Sequence, residues 1–289
     1  MSERWVACDW GTSSLRVWAM EGATALDEAH SARGMGTLAP EQFAEALDEV
    51  APAEWSGPVI ACGMVGARQG WVEAAYAAVP CPPLPDGLTR APGAREVLII
   101  PGLSQSDPPD VMRGEETQVA GFLALNPGWD GVLCLPGTHT KWVHVSAGEV
   151  VSFRTAMTGE MFALLSTRSV LRHSMEEGWS DEAFLAAADV TLSRPERLLS
   201  DLFALRAGAL LTGAGDARAR LSGLLIGAEL AATRPFWLGQ QVAVIGADAL
   251  ARSYVTALDA QGAPATQAKG DAVTLAGLTA AWRRWKGET

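Results

Sequence analysis

Neither a Gly-x-x-x-x-Gly-Lys-Ser/Thr run nor a Gly-x-Gly-x-x-Gly run occurs in the 289 residues, which excludes a Walker phosphate loop and a dinucleotide fingerprint. Cysteine is sparse. Cys8, Cys62, Cys81 and Cys134 form no Cys-x-x-Cys pair, and three of them lie in or beside apolar runs, where a reduced thiol behaves as a small hydrophobe; no structural zinc site is expected. Positive charge is also short, with 22 Lys and Arg against 33 Asp and Glu. The net charge of −11 leaves no broad basic face for nucleic acid or an anionic membrane surface. No run reaches the roughly eighteen apolar residues of a membrane span, and Met1-Ser-Glu-Arg-Trp5 lacks a basic segment followed by an apolar one. The expectation is a cytoplasmic protein with no membrane and no nucleic acid among its partners.

What is present is an apolar content of 48%, enough for one large or two medium cores, and two short turns rich in glycine and threonine. The first, Asp9-Trp-Gly-Thr-Ser-Ser14, lies between Trp5-Val-Ala-Cys8 and Leu15-Arg-Val-Trp18, two β-prone runs that read as a hairpin. Gly11 lets the backbone approach an anion, and the hydroxyls of Thr12, Ser13 and Ser14 join backbone N–H groups in a concave phosphate-holding nest. Asp9 at its edge suits Mg²⁺, an ion that keeps several waters and bridges one or two carboxylates to phosphates. The second turn, Pro136-Gly-Thr-His-Thr-Lys-Trp142, follows Val132-Leu-Cys-Leu135 and leads into Trp142-Val-His-Val145. Repetition of one pattern more than a hundred residues apart implies two similar half-structures.

The chain is expected to divide near Gly131, after the turn-rich Asn126-Pro-Gly-Trp-Asp130, giving lobes 1–130 and 131–289. Pro40 to Val50 reads as an amphipathic helix, Pro58 to Cys62 and Val97 to Ile100 as strands, and Pro80 to Arg95 as a long loop. Later helices are expected over 159–172, 182–188, 195–211 and 250–258, with Gly223 to Leu230 opening a helix that connects the lobes. Val242-Ala-Val-Ile-Gly246 reads as a buried strand ending in a glycine junction with Ala247, where a nucleotide could lie.

In Met112-Arg-Gly-Glu-Glu-Thr-Gln118 two adjacent acids open a helix. One can cap free N–H groups there. Neighbours on a helix diverge by about 100°, so the other can face the cleft between the lobes, and Glu116 is taken as that one. An anionic substrate would be met locally by Arg16, Arg68, Arg113, Lys141 or Arg154. His139 reads as structural or phosphate-side, and Trp10, Trp71 and Trp142 as packing residues.

The order of Asp9 to Ser14, an acid near 116, Pro136 to Thr140 and Ile245-Gly-Ala247 resembles the actin-like sugar kinase superfamily. Cys8 to Ser14, Gly63-Met-Val-Gly-Ala-Arg-Gln-Gly-Trp71, Met112 to Gln118, Leu135 to Trp142 and Met157-Thr-Gly-Glu160 together resemble the 2-dehydro-3-deoxygalactonokinase family. That resemblance implies an α/β, two-lobed actin-like ATPase (ribonuclease H-like) fold with an interlobe cleft. It implies ATP- and Mg²⁺-dependent phosphorylation of 2-dehydro-3-deoxy-D-galactonate at its terminal hydroxyl, in D-galactonate degradation.

Carried onto this sequence, the resemblance makes Glu116 the base, with Glu115 in reserve. It places the phosphates at Gly11, Thr12, Ser13 and Ser14 and at Gly137, Thr138, His139, Thr140 and Lys141, and the adenosine at Gly246 and Ala247. For the substrate carboxylate Arg68, beside Gln69, comes first and Arg113 second, because guanidinium meets carboxylate with two parallel bonds. A sugar-acid sensor without phosphotransfer and a phosphohydrolase on the same fold are the alternatives. The partners are a sugar acid and ATP, with self-association into a homodimer left open.

Overall fold

Trp5-Val-Ala-Cys8 offers no polar side chain to water, and it forms the strand β1 (Arg4–Trp10), buried on both faces. The structure, a computed structural model, describes residues 3–55, 57–176, 178–213, 215–246 and 248–288, with the backbone alone for Asp248. After β1 come β2 (Leu15–Glu21), β3 (Thr24–Ser31), α1 (Phe43–Val50), β4 (Val59–Gly63), β5 (Tyr76–Ala78), β6 (Thr89–Arg90), β7 (Val97–Ile99), β8 (Gly102–Ser106), β9 (Pro109–Met112) and α2 (Glu115–Leu125). A six-stranded sheet runs β3-β2-β1-β4-β7-β6, and β5-β8-β9 form a small second sheet. In the main sheet β1 is antiparallel to β2 and parallel to β4, so that Asp9 lies opposite Arg16 on one side and Cys62 on the other.

Alternation along β1 assigns its side chains to two cores. Val6, Cys8 and Trp10 pack with Phe43 and Leu47 of α1, whereas Trp5 and Ala7 pack with Trp18, Ile60 and Ala120 of α2.

The second half supplies β10 (Gly131–Leu135), β11 (Thr140–Ser146), β12 (Glu149–Ala156), α3 (Thr158–Thr167), α4 (Asp181–Ser193), α5 (Leu198–Thr212), α6 (Ala217–Ala232), α7 (Arg234–Trp237), β13 (Val242–Gly246), α8 (Asp248–Asp259), β14 (Ala265–Lys269) and α9 (Gly270–Lys286). Its sheet runs β12-β11-β10-β13-β14, the same succession as β3-β2-β1-β4-β7. Val132, Cys134, Val242 and Val244 from this sheet share a core with Phe184 of α4, Ile226 and Leu230 of α6 and Tyr254 of α8.

Two compact units result: Met1–Asp130, Val145–Phe153 and Lys269–Thr289 form one, and Gly131–His144 with Arg154–Ala268 the other. The expected second lobe of 131–289 therefore needs correcting in two places. The β11–β12 hairpin tip belongs to the first unit, where Cys81 bridges Val150 and the Phe153 N–H donates to Gln105 Oε1 at 3.0 Å. Helix α9 belongs there too, because it lies backbone to backbone against α2. A side chain at Gly121 would overlap the Val273 carbonyl and one at Gly277 the Thr117 carbonyl, so small residues on both helices permit the approach. Trp282 of α9 then stacks on Trp5 with ring centroids 5.2 Å apart. Helix α6, expected to link the lobes, lies wholly inside the second unit.

Candidate active site

In the first unit the Gly11–Ser14 turn is held by its own chain. The Gly11 N–H donates to the Ser14 carbonyl at 2.9 Å, and the N–H groups of Met35 and Gly36 donate to the carbonyls of Gly11 and Thr12 at 3.0 and 2.9 Å. Gly34 lies flat against Ser13 and Ser14, where a side chain has no room. The carbonyl side of the turn is thereby occupied, and Thr12, Ser13 and Ser14 are exposed.

Asp9 ends β1 beside this turn. Arg16 Nη2 donates to its Oδ2 at 2.7 Å, and Arg16 also pairs with Asp271 at the start of α9. Burial works against the Arg16 charge, but the two carboxylates outweigh it and hold its pKa above the ordinary arginine value. The other Asp9 oxygen, Oδ1, faces the Cys62 thiol at 3.7 Å. No group of three or more His, Cys, Asp or Glu suited to a metal occurs among the described residues. A single carboxylate fits Mg²⁺ that arrives on a nucleotide's phosphates and keeps its waters; it does not fit a resident metal.

The start of α2 meets the same strand ends. Gly63 ends β4 at φ 90°, where a Cβ would stand 2.7 Å from the Trp10 carbonyl oxygen. Gly114, at φ 103°, lies against Gly63 and caps α2. Both acids that follow turn back on the backbone: Glu115 Oε2 accepts from the Arg113 N–H at 3.0 Å and Glu116 Oε2 from the Gly114 N–H at 2.6 Å.

Glu116 also accepts from the Thr117 hydroxyl at 2.9 Å and is 0% exposed. Burial, seconded by the charge of Glu115, pushes its pKa from 4.5 up to about 8 against the pull of those donors. Glu116, expected to face a cleft, instead has its side chain enclosed, and Glu115 is the half-buried one.

Arg113 is 8% exposed, with Nη2 donating to the Ala74 carbonyl at 2.7 Å and the guanidinium 4.3 Å from the Tyr76 ring centroid. Its Nε and Nη1 are buried without a partner among the described residues. Unpaired donors on a buried cation are costly and call for an anion. Arg68 and Gln69 are exposed on the Gly63–Trp71 loop. Trp10, Trp71 and Phe43 pack together behind that loop.

In the second unit Gly137 is half-buried, and Thr138 and His139 are exposed on the turn that joins β10 to β11. The start of α3 braces them. The Glu160 N–H donates to the Thr138 carbonyl at 2.8 Å, and His139 Nε2 meets Glu160 Oε2 at 2.6 Å. Thr140 and Lys141 depart from the expected phosphate contacts because β11 carries them inward. Thr140 Oγ1 bonds Tyr254 OH at 2.9 Å and Lys141 Nζ donates to Thr155 Oγ1 at 2.7 Å, both side chains buried. Gly246 ends β13 next to Pro136, 3.4 Å from its carbonyl oxygen to an added Cβ, while Ala247 lies outside the described residues.

A cavity of about 440 Å³ opens beside this turn, lined by Gly137, Thr138, Gly159, Phe162, Trp179 and Arg218 among others. Arg218 sits 5.4 Å from the Phe162 ring centroid. Below it, Glu229 of α6 accepts from Trp142 Nε1 at 2.7 Å, from Tyr254 OH at 2.8 Å and from Thr158 Oγ1. Burial raises the Glu229 pKa and these donors oppose the rise. Burial likewise pushes the Cys8, Cys62 and Cys134 thiols well up, as suits packing residues. Sequence reasoning missed Phe162, Trp179, Arg218 and Glu229, which share no local motif.

Two sheets of one strand order, each with an exposed Gly-Thr turn at the end of its first strand, define the actin-like ATPase fold, and the relatives of this chain make it a carbohydrate kinase of that fold. The chain belongs to the 2-keto-3-deoxy-galactonokinase family, whose model matches residues 9–281. It is 41% identical over 297 residues to a Rhizobium meliloti (strain 1021) protein named "Probable 2-dehydro-3-deoxygalactonokinase DgoK1", covering 96% of each chain. It is 36% identical over 287 residues to the 2-dehydro-3-deoxygalactonokinase of Escherichia coli (strain K12), covering 96% of this chain and 97% of that one. A crystal structure of a Sinorhizobium meliloti protein bearing the same enzyme name superposes with a TM-score of 0.91 at 39% identity, covering 97% of this chain and 99% of that one. No helix among the described residues is long and apolar enough to cross a membrane.

Proposed function

We propose that the protein transfers the γ-phosphoryl group of ATP to the 6-hydroxyl of 2-dehydro-3-deoxy-D-galactonate, with Mg²⁺ travelling on the nucleotide. The observation that carries this reading is the meeting, at the start of α2, of a buried guanidinium with unused donors and a pair of carboxyl groups. A substrate with an acid at one end and a hydroxyl at the other needs both.

Arg113 takes the substrate carboxylate through Nε and Nη1. Glu115, whose side chain reaches the surface, is the base that accepts the hydroxyl proton. Glu116, kept protonated by burial, holds the Gly114 N–H and orients the helix start. The Gly11–Ser14 and Gly137–His139 turns hold the phosphates, and the cavity beside Gly137 takes the adenosine. Asp9 would hold the Mg²⁺, which neutralises phosphate charge as the group transfers. Positioning and charge neutralisation then supply most of the rate.

Arg113→Met tests the assignment. The KM for the sugar acid should rise by about tenfold or more, the loss of a charge-assisted pair, with affinity for Mg·ATP unchanged. An unaltered sugar-acid KM in a folded variant would remove Arg113 from the substrate site.

A further inference from the structure

Nothing in the roles above uses Glu229, yet three other elements of the second unit, β11, α3 and α8, converge on it. It is 5% exposed on α6, and the groups bonded to it are Trp142 from β11, Thr158 from α3 and Tyr254 from α8. Because Tyr254 gives its one hydroxyl proton to Glu229, it must accept from Thr140, the first residue after the second Gly-Thr turn. Three groups donate to one carboxyl, and Trp142 Nε1 can only donate.

The partners of Glu229 are also walls of the 440 Å³ cavity. Thr158 and Tyr254 line it directly, as do Ser222, Leu225 and Ile226 from the same helix as Glu229. The Gly137–Thr138 wall is joined to the network through Thr140, two residues on, and through α3, whose Glu160 N–H holds the Thr138 carbonyl. The turn, α3, α6 and α8 walls are therefore tied, directly or through one neighbour, to a single carboxylate. A buried acid is expensive to desolvate, and an apolar residue would fill the same space at less cost, so core packing alone does not account for it.

We infer that Glu229 is a positioning residue for the nucleotide: it fixes the spacing of the turn, α3, α6 and α8, and so sets the affinity of the cavity for adenosine phosphates. It touches no reacting atom. The inference rests on placing adenosine in this cavity.

Three variants test it, with ADP binding measured by calorimetry and KM measured for ATP and for the sugar acid. Glu229→Ala should weaken ADP binding and raise the ATP KM by about tenfold or more, as misplaced binding groups do, with the sugar-acid KM unchanged. Glu229→Gln should recover affinity to within about threefold of the parent, because its oxygen can face the donor-only Trp142 while the Thr158 and Tyr254 hydroxyls turn to accept from its amide. Ser253→Trp, which fills the cavity from α8, checks the site itself and should weaken ADP binding. If Ser253→Trp binds ADP as the parent does, the cavity is not the nucleotide site and the inference falls with it. If Ser253→Trp weakens ADP but Glu229→Ala only lowers the melting temperature, Glu229 is a structural acid and the inference alone is overturned. Should Glu229→Ala not fold, Tyr254→Phe removes one tie from the same network, and unchanged ADP affinity there is equally decisive against it.

Discussion

Gly159, the second residue of α3, rests on the peptide of Gly137 so closely that a side chain there would overlap the Gly137 carbonyl and stand 3.0 Å from the Thr138 Cα. The start of this helix thus serves as the backing of the second Gly-Thr turn. Gly159→Ala should displace the turn and cost about a hundredfold in kcat/KM for ATP, the scale of a 1 Å misplacement, with the sugar-acid KM little changed. Steady-state kinetics with each substrate varied separately checks this. Parent-like kinetics would detach the turn from nucleotide binding.

The two adjacent acids should behave oppositely. Glu115→Gln removes the accessible base and should lower kcat by about a hundredfold or more. Glu116→Gln resembles the protonated form already favoured by burial, and its amide can accept from Gly114 while donating to Thr117, so turnover should stay within about tenfold. Nucleotide affinity should hold in both. A dead Glu116→Gln beside an active Glu115→Gln would transfer the role of base to Glu116.

Glu116 also gives stability a pH dependence. Its folded pKa of about 8 lies above the ordinary 4.5, so the native state holds a proton that the unfolded chain has released. The contribution is complete below 4.5, falls by up to about 1.4 kcal/mol per pH unit as pH rises towards 8, and is gone above that. Denaturant melts from pH 5 to 8 should show the parent losing stability relative to Glu116→Gln. A constant difference across that window would mean that Glu116 is not proton-bound in the fold.

The contact between α2 and α9 supplies a test remote from the chemistry. Gly277→Ala forces a methyl group into the Thr117 carbonyl and should destabilise the first unit by about 1–3 kcal/mol, as overpacking does. Chemical denaturation measures it. Unchanged stability would show that the helices can separate without loss.

How much of this was legible in the sequence follows the range over which each feature is encoded. The hairpin around Gly11 and its counterpart around Gly137 are written in adjacent residues, and the strand-turn-strand pattern gave both. Helix α9 was not seen because its buried residues, Val273, Leu278, Ala281 and Trp282, are interspersed with Gly and Thr that are themselves buried against α2. Thr140 and Lys141 follow the turn in sequence and invite a phosphate role, but neither is free to take one on a strand whose first four residues are all buried. The unused donors of Arg113 and the three donors to Glu229 depend on partners tens of residues away. No local pattern announces them.

The most direct test of the kinase assignment is ADP formation by the purified protein with Mg·ATP, with and without 2-dehydro-3-deoxy-D-galactonate, and with the sugar product weighed by mass spectrometry. Release that requires the sugar acid, with one phosphoryl group gained by the sugar, is the expected result. ADP release independent of the sugar acid, or no release at all from a folded protein that binds it, would contradict the assignment.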